Sequence, residues 1–418
     1  MENLFTSVCG SFNPLLLVLI ICFSTVSGMT QTSHVREVTF SEETFPIVLK
    51  DDVGFDAIVI RCKEGFDRGL MLKDLEGNIY NLTKDEHADI DFQSNMIVFS
   101  QRQHEVFLSS LFAGNMVGSA FFIHVPDLKV ERRLGQRSAD CDEPSIVPQS
   151  VWRAGLNPPI PGRKSTPTRH CIVHHSASSN ADTNSIKLVR SFYILHTEVN
   201  GWDDIGYNYL IGYNGTIFAG RDPEKSGIEQ DNVFGAHFCG KNSYTMGICV
   251  IGDFQVEAPD PRAVAALEHL LSWKMFKDKL NPLDSLHHPD TVSGPLLPVL
   301  AGHRNGCSTE CPGQFLFDLI PQLRMDVHQD LIDCNKLNRT STGMEAGLIY
   351  PNPCTDEVTL EGFDQMRYSI LDLNGLVRIT GIAHEKTKVS LSALSSGVYI
   401  IQLHDTDKVR CSKIIVEK

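Results

Sequence analysis

Basic residues are too few in this sequence to form the surface of a nucleic-acid-binding protein. The 418 residues include 37 lysines and arginines against 51 aspartates and glutamates, which gives a formal net charge of −14. Because binding to phosphates needs a positively charged face, this balance argues against a nucleic-acid partner. Charged residues make up 21% and hydrophobic residues 42% of the chain, which is typical of globular proteins and not of disordered ones.

Long hydrophobic runs are absent after the N-terminus. The apolar run at residues 13–23 is too short to cross a bilayer comfortably and is followed by mostly small residues up to Gly28. This pattern indicates a secretory signal peptide at residues 1–28, although no Lys or Arg precedes the run, which leaves an uncleaved anchor as the alternative. We expect a soluble mature protein without a transmembrane span.

A short loop at residues 301–313 carries a histidine and a cysteine, His303 and Cys311. Zinc binds imidazole nitrogen and thiolate sulfur in tetrahedral geometry, and a catalytic zinc site uses three protein ligands. The best candidate for the third ligand is His174, at the end of a strand-like apolar segment. Two imidazoles and one thiolate leave zinc with a positive charge, so it can acidify water and polarise a carbonyl. A zinc site with these ligands is suited to the hydrolysis of an amide.

The number of cysteines bears on this site. Removal of the signal peptide would discard Cys9 and Cys22 of the 12 cysteines and leave ten in an oxidising compartment, where disulfides persist. If Cys311 is a metal ligand, an odd number remains, so at least one further thiol is free. Cys249, in an apolar run, is the candidate for a buried free thiol. The alternative for the loop is a disulfide between Cys307 and Cys311, which would destroy the site.

The character of the sequence changes along the chain and predicts three folded domains. Residues 29–128 contain short apolar runs separated by turns, which predicts a small β-sandwich with an accessory role. Residues 129–140 read as a linker. Residues 141–333 alternate strands and helices, which predicts an α/β domain with a mixed central sheet flanked by helices. After a second linker at 334–346, residues 347–418 predict another small β-sandwich.

Local signals predict several boundaries in the α/β domain. Asp182 or Thr183 can cap a helix that follows His174, and the Asn214-Gly215 dipeptide favours a hairpin with a type I′ turn. Asp260, followed by proline, predicts the start of a long helix. The two later helices are expected at residues 261–280 and 315–332.

Five separated segments of the α/β domain occur in a recognisable order. They are Ile-Val-His-His-Ser from residue 172, Trp-Asp-Asp-Ile-Gly-Tyr-Asn from 202, Gly-Ala-His-Phe-Cys-Gly-Lys-Asn from 235, Met-Gly-Ile-Cys-Val-Ile-Gly-Asp-Phe from 246, and Gly-His-Arg from 302 through Cys-Pro-Gly at 311–313. With these motifs, residues 141–333 resemble the zinc N-acetylmuramoyl-L-alanine amidases of the peptidoglycan-recognition-protein type.

The resemblance implies roles for individual residues. His174, His303 and Cys311 match the zinc ligands of the family, and Tyr207 matches a tyrosine beside the metal-bound water. Thr309 stands two residues before the ligand cysteine, where relatives have lysine or threonine. Tyr207 and Thr309 are therefore the expected catalytic residues, with a hydroxyl in place of an ammonium to steady the oxyanion.

Two further residues are expected to bind substrate. His237 would line the substrate groove, unless its imidazole is bonded within its own loop. Arg304 could hold a peptide carboxylate, although an ordinary ion pair explains it equally well. His175 is expected to pack or to support a ligand, because it alternates away from His174 on a strand. An alternative for Tyr207 is an aromatic core position.

The resemblance implies a secreted zinc amidase that cuts the bond between N-acetylmuramoyl and L-alanine in peptidoglycan. The alternative is a secreted protein that recognises peptidoglycan without catalysis. A zinc peptidase is disfavoured, because the sequence contains no His-Glu-x-x-His motif.

The tail carries its own set of short motifs. They are Tyr-Pro-Asn-Pro from residue 350, Asp-Leu-Asn-Gly from 372, Leu-Ser-Ser-Gly-Val-Tyr from 394 and Lys-Ile-Ile-Val from 413. Through them residues 347–418 resemble the C-terminal sorting domain of proteins exported by the type IX secretion route of Bacteroidota-like bacteria. The resemblance implies the secretion machinery as a partner and a secreted or cell-surface location, on the outer-membrane side.

Overall fold

The computed structural model describes residues 33–42, 45–63, 69–85, 92–111, 116–128, 141–180, 183–289, 296–334, 348–373, 375–404 and 409–418. The signal peptide expected at 1–28 and the linkers expected at 129–140 and 334–346 lie outside these residues, except for Cys334.

Among its described residues, the N-terminal domain forms one six-stranded antiparallel sheet and not the two separate sheets expected of a sandwich. Its strands are β1 (Val35–Glu42), β2 (Ile47–Cys62), β3 (Leu70–Lys73), β4 (Ile79–Asn81), β5 (Ile97–Ser110) and β6 (Met116–Ile123), in the spatial order β1-β6-β2-β5-β3-β4. The pairing of β2 with β5 shifts register between Lys50 and Ala57, and such irregularities bend a strand. The aromatic side chains of Phe55, Phe99 and Phe122 meet in the core that this one sheet encloses.

The central domain has the expected mixed sheet flanked by helices. Its strands are β7 (Ile146–Val147), β8 (His170–His175), β9 (Tyr209–Ile211), β10 (Ile217–Ala219), β11 (Thr245–Val250) and β14 (Leu300–Gly302), in the spatial order β14-β8-β11-β9-β10-β7. Its helices are α1 (Gln149–Trp152), α2 (Ser185–Ile194), α3 (Pro261–Asp278) and α4 (Gln314–Asp333). Apolar residues of α3 and α4 pack together with the sheet, as Leu267 and Leu316 do, whereas α2 shares a second core with the N-terminal sheet.

The start of α3 agrees with the sequence signal, whereas the cap of α2 and the hairpin turn differ from the expected ones. Helix α3 begins where expected, because the Asp260 side chain accepts a hydrogen bond from the Arg262 amide. The cap of α2 is Asn184, not the expected Asp182 or Thr183. In the hairpin, the Gly215 amide donates to the Gly212 carbonyl, and of the Asn-Gly pair only Gly215 has positive φ, at 80°. The turn is therefore not type I′, which requires positive φ at both central residues.

The C-terminal domain is the expected β-sandwich. Its strands are β15 (Leu348–Tyr350), β16 (Glu357–Glu361), β17 (Arg367–Leu371), β18 (Val377–Ile382), β19 (Lys386–Ser390), β20 (Gly397–His404) and β21 (Val409–Val416). Strands β12 (Ser285–His287) and β13 (Leu296–Pro298) of the central domain extend its larger sheet, whose order is β13-β12-β21-β20-β17-β18. The smaller sheet is β15-β16-β19, and the two sheets share one core that includes Leu360 and Ile401. Within the described part of the chain, every helix is too short or too polar to cross a membrane.

Candidate metal centre and groove

Two of the candidate ligands are brought together by neighbouring parallel strands. Strands β8 and β14 are paired in parallel, with Gly302 opposite Val173. The next residue on each side is a histidine, so His174 and His303 lie beside each other at the carboxyl ends of the strands. Their ring centroids are 4.4 Å apart, and both side chains are buried.

The third candidate ligand, Cys311, reaches the same point from the loop after β14. This loop folds back so that the Arg304 amide donates to the Cys311 carbonyl. The Cys311 sulfur lies 3.7 Å from His174 Nδ1, and potential ligand atoms of His174, His303 and Cys311 all lie within 4.8 Å of one another. Cys311 is a free thiol, so the alternative of a Cys307–Cys311 disulfide is wrong.

This donor set fits a zinc ion by chemistry and by distance. Bonds of about 2.0–2.1 Å to nitrogen and 2.3 Å to sulfur, at the tetrahedral angle, place the two ligand atoms about 3.6 Å apart. The observed separation between His174 Nδ1 and Cys311 Sγ is 3.7 Å. All three side chains are buried.

Backbone and side-chain groups support Cys311. The backbone amide of His175 donates to the Cys311 sulfur at 3.3 Å and so helps to orient it. The hydroxyl oxygen of Thr309 accepts a hydrogen bond from the Cys311 amide at 3.0 Å. Thr309 thus helps to shape the loop at residues 303–311, which carries two of the candidate ligands. The imidazole of His175 turns away and accepts from the Phe254 amide at 3.3 Å.

The structure places His237 directly behind His174. Its Nδ1 lies 3.0 Å from His174 Nε2, the nitrogen that faces away from Cys311. On its other side, His237 Nε2 lies 3.3 Å from the hydroxyl of Thr245. Gly247 makes this position available, because a Cβ there would lie 2.5 Å from the His237 ring. Thr245 had no signal in the sequence that linked it to the site.

Tyr207 lies on another side of His174, with ring centroids 5.3 Å apart. Its side chain is buried, and its phenol contacts the thiol of Cys249, which is itself buried and free as expected. Burial, followed by the neighbouring thiols of Cys249 and Cys311, raises the pKa of Tyr207 well above its ordinary value. The phenol therefore keeps its proton and can donate a hydrogen bond.

A groove with a cavity volume of about 670 Å³ opens above these residues. Tyr207, His237, His303 and Thr309 are among its lining residues, as are both cysteines of a disulfide bond, Cys239 and Cys307.

Arg304, which was expected to bind substrate, is not part of the groove lining. Its guanidinium donates to Gln314 Oε1 at 2.9 Å and to the Glu310 carbonyl, and lies over the Phe317 ring. These contacts hold the loop at residues 303–311 against the start of α4.

Comparison with known proteins gives relatives for two parts of the chain. Residues 164–314 match the family model described as N-acetylmuramoyl-L-alanine amidase, and residues 348–417 match that of the secretion system C-terminal sorting domain. Peptidoglycan-recognition protein SC1a/b of Drosophila simulans is 31% identical over 153 residues, which cover 36% of this chain and 71% of that protein. The chain belongs to the peptidoglycan-recognition protein family.

Other relatives cover similar parts of the chain. Peptidoglycan-recognition protein LB of Drosophila melanogaster is 31% identical over 175 residues, which cover 41% of this chain and 66% of that protein, just under two thirds of its length. A solved structure of wild-type Drosophila PGRP-LB aligns with a TM-score of 0.34 and 30% identity, covering 42% of this chain and 92% of that one. An N-acetylmuramoyl-L-alanine amidase of Sus scrofa is 28% identical over 193 residues, 44% of this chain and 28% of that protein. The family thus includes proteins named for recognition and proteins named for hydrolysis.

Proposed function

We propose that the central domain hydrolyses the amide bond between N-acetylmuramoyl and L-alanine in peptidoglycan, with zinc held by His174, His303 and Cys311. The observation that carries this proposal is the convergence of three buried donors from two distant segments of the chain within 4.8 Å, beside a groove of about 670 Å³. Membership of a family that contains an enzyme with this name supports it.

Zinc bound to these residues would acidify a water molecule and polarise the scissile carbonyl. Side chains and backbone groups of the protein would supply the other contacts to the substrate and to the metal ligands. The Tyr207 phenol, which stays protonated, donates a hydrogen bond to the oxygen atom that gains negative charge as water adds to the carbonyl. The hydroxyl of Thr309 lines the same groove and helps to stabilise this negative charge. The amide of His175 holds the Cys311 sulfur in place.

The C-terminal domain belongs to the same proposal. A secretion sorting domain at residues 348–417 supports export of the enzyme by a dedicated secretion machinery, to the cell surface or the medium. The exported enzyme would then reach peptidoglycan from outside the cytoplasm. The signal peptide expected at residues 1–28 also directs the protein out of the cytoplasm.

The test is the Cys311→Ser variant, with Cys411→Ser as the matched control in the C-terminal domain. The Cys311 variant should lose bound zinc and muropeptide hydrolysis together, because a serine hydroxyl is a much weaker ligand than a thiolate. Zinc is measured in the purified protein, and the products of defined muropeptides are identified by mass spectrometry. Retained hydrolysis by Cys311→Ser would refute the scheme. Peptidoglycan binding by a wild-type protein without zinc would instead favour recognition without catalysis.

A further inference from the structure

A disulfide bond joins two loops that border the groove. Cys239 follows His237 on one loop, and Cys307 lies between His303 and Cys311 on the other. Both cysteines line the groove, with Cys239 exposed and Cys307 half-buried. A reductant in solution can therefore reach this bond.

His303 belongs to two clusters of metal-ligand atoms. The first is the cluster with His174 and Cys311. In the second, one nitrogen of His303 and the sulfur atoms of Cys239 and Cys307 lie within 4.8 Å of one another. While the disulfide is intact these sulfurs cannot act as thiolate ligands. After reduction they would offer zinc two thiolates and one imidazole, a common set of donors for this metal.

The two loops have further contacts that hold them together without the disulfide. The ammonium group of Lys241 donates to the Gly306 carbonyl at 2.9 Å. The Phe238 ring packs so closely on Gly306 that a Cβ there would lie 2.3 Å from it. The same ring lies 5.9 Å from that of His303, measured between centroids. Reduction would therefore leave both thiols close to His303.

We propose that the Cys239–Cys307 disulfide is a redox switch of the metal centre: once reduced, its two thiols and His303 form a second metal site that takes the ion from His174 and Cys311. This inference rests on the proposed function. In the reducing step, a dithiol transfers two electrons, its own sulfurs join in a disulfide, and the Cys239–Cys307 bond becomes two thiols. Metal binding then releases the two thiol protons to solvent. Oxidation by a disulfide compound such as glutathione disulfide reverses the change.

The second site should compete effectively and should not support hydrolysis. Soft thiolate ligands favour zinc, and the second site supplies two of them where the first supplies one. Two thiolates also neutralise the charge of the ion, which weakens its ability to acidify water and polarise a carbonyl. Once His303 is engaged with Cys239 and Cys307, only His174 and Cys311 remain at the first site.

The experiment counts the sulfur ligands of the metal in the full chain. Protein loaded with one equivalent of zinc is studied by X-ray absorption before and after a phosphine reductant, which supplies no thiolate of its own. The expected count rises from one sulfur per zinc to two, and muropeptide hydrolysis falls roughly tenfold or more. Glutathione disulfide should restore both values. A reduced protein that keeps one sulfur per zinc and full hydrolysis would overturn the switch.

Three variants make the result specific. With Cys239→Ser and Cys307→Ser combined, the count should stay at one sulfur whether or not reductant is present. With the other disulfide removed by Cys141→Ser and Cys334→Ser, the change from one sulfur to two should persist, and its loss would refute the assignment to the groove disulfide. The third variant, Cys311→Ser, does not depend on the folding of either double variant.

Cys311→Ser should bind no zinc when oxidised but should bind it through two sulfurs when reduced. Absence of zinc from this variant in both states counts against the second site. Failure of the two proposals can be told apart: an oxidised wild-type chain without zinc or hydrolysis defeats the proposed function, whereas one sulfur per zinc in both redox states, with hydrolysis retained, defeats only the switch.

Discussion

Replacement of His237 by alanine should weaken metal binding more than substrate binding. Cys311 Sγ lies near His174 Nδ1, so a shared metal would use that nitrogen and leave the proton on Nε2. His237 Nδ1, at 3.0 Å, is placed to accept that proton in a hydrogen bond. The second nitrogen of His237 then donates to the Thr245 hydroxyl at 3.3 Å, which donates in turn to the Asn242 carbonyl at 2.9 Å. When His174 binds metal through Nδ1, each donor in this series of hydrogen bonds, from His174 to Asn242, has an acceptor.

The size of the effect follows from this arrangement. Loss of a hydrogen-bond partner behind a metal-binding histidine typically costs 10–100-fold in metal affinity, or about 1.4–2.7 kcal/mol. Because His237 lines the groove, water can enter the space left by its ring and accept from His174. We therefore expect the lower end, about tenfold. Thr245→Val removes the 3.3 Å contact to His237 together with the 2.9 Å bond to the Asn242 carbonyl, and it should cost only about 0.5 kcal/mol of zinc affinity because His237 itself stays in place behind His174.

The assay is a zinc titration against a competing chelator, combined with kcat and KM for a defined muropeptide. We expect a weaker zinc affinity for His237→Ala, a smaller loss for Thr245→Val, and nearly normal KM for the zinc-saturated variants. An unchanged zinc affinity with a raised KM would refute the reasoning, and it would restore the role in substrate binding that the family resemblance implies for His237.

Three other variants test the remaining assignments. Tyr207→Phe should keep its zinc but lose roughly 10²-fold in the rate of hydrolysis. Because the pKa of Tyr207 is raised, the wild-type rate should show no tyrosine ionisation below about pH 10. A fall in the wild-type rate near pH 8 that the variant lacks would contradict this. Arg304→Ala should leave KM unchanged, and an increase would return this residue to the substrate site. Lys274→Met should destabilise the chain by about 3–5 kcal/mol in urea unfolding, because the buried Lys274 ammonium contacts Asp231 and Asp278 at 2.6 and 2.7 Å. Burial alone would raise the pKa of Asp231, but its lysine partners lower this pKa on balance. The stabilisation is therefore present above the ordinary carboxyl pKa of 3.8 and is lost as the pH falls through the pKa of the folded state. Equal stability of wild type and variant at neutral pH would contradict the prediction.

The fold was predictable where the signal lay within a few residues. The start of helix α3 at Pro261 was predictable because the proline and its cap, Asp260, are adjacent in the sequence. The single strand β2 could not be predicted from local pattern, since Asp51 and Asp52 interrupt its apolar residues as a turn would. In the structure Asp51 is buried and accepts a hydrogen bond from Arg36 at 2.6 Å, so a partner on β1 lets the strand continue. Such a partner cannot be identified from local pattern.

The same limit applies to the site. His174, His303 and Cys311 could be proposed because metal ligands are recognisable by residue type. The amide of His175 that supports Cys311 could not, because every residue type other than proline has this group. Nor could the partner of Cys307, which lies 68 residues away across the groove.

That partner has a chemical consequence for Cys311. In an oxidising compartment, two thiols on one short loop could combine with each other, and the metal ligand would be lost. The bond from Cys307 to Cys239 removes the neighbouring thiol from this competition, while Cys311 itself is fully buried, in contact with His174. The disulfide therefore protects the ligand thiol for as long as it stays intact, and the availability of Cys311 depends on a residue of a different loop.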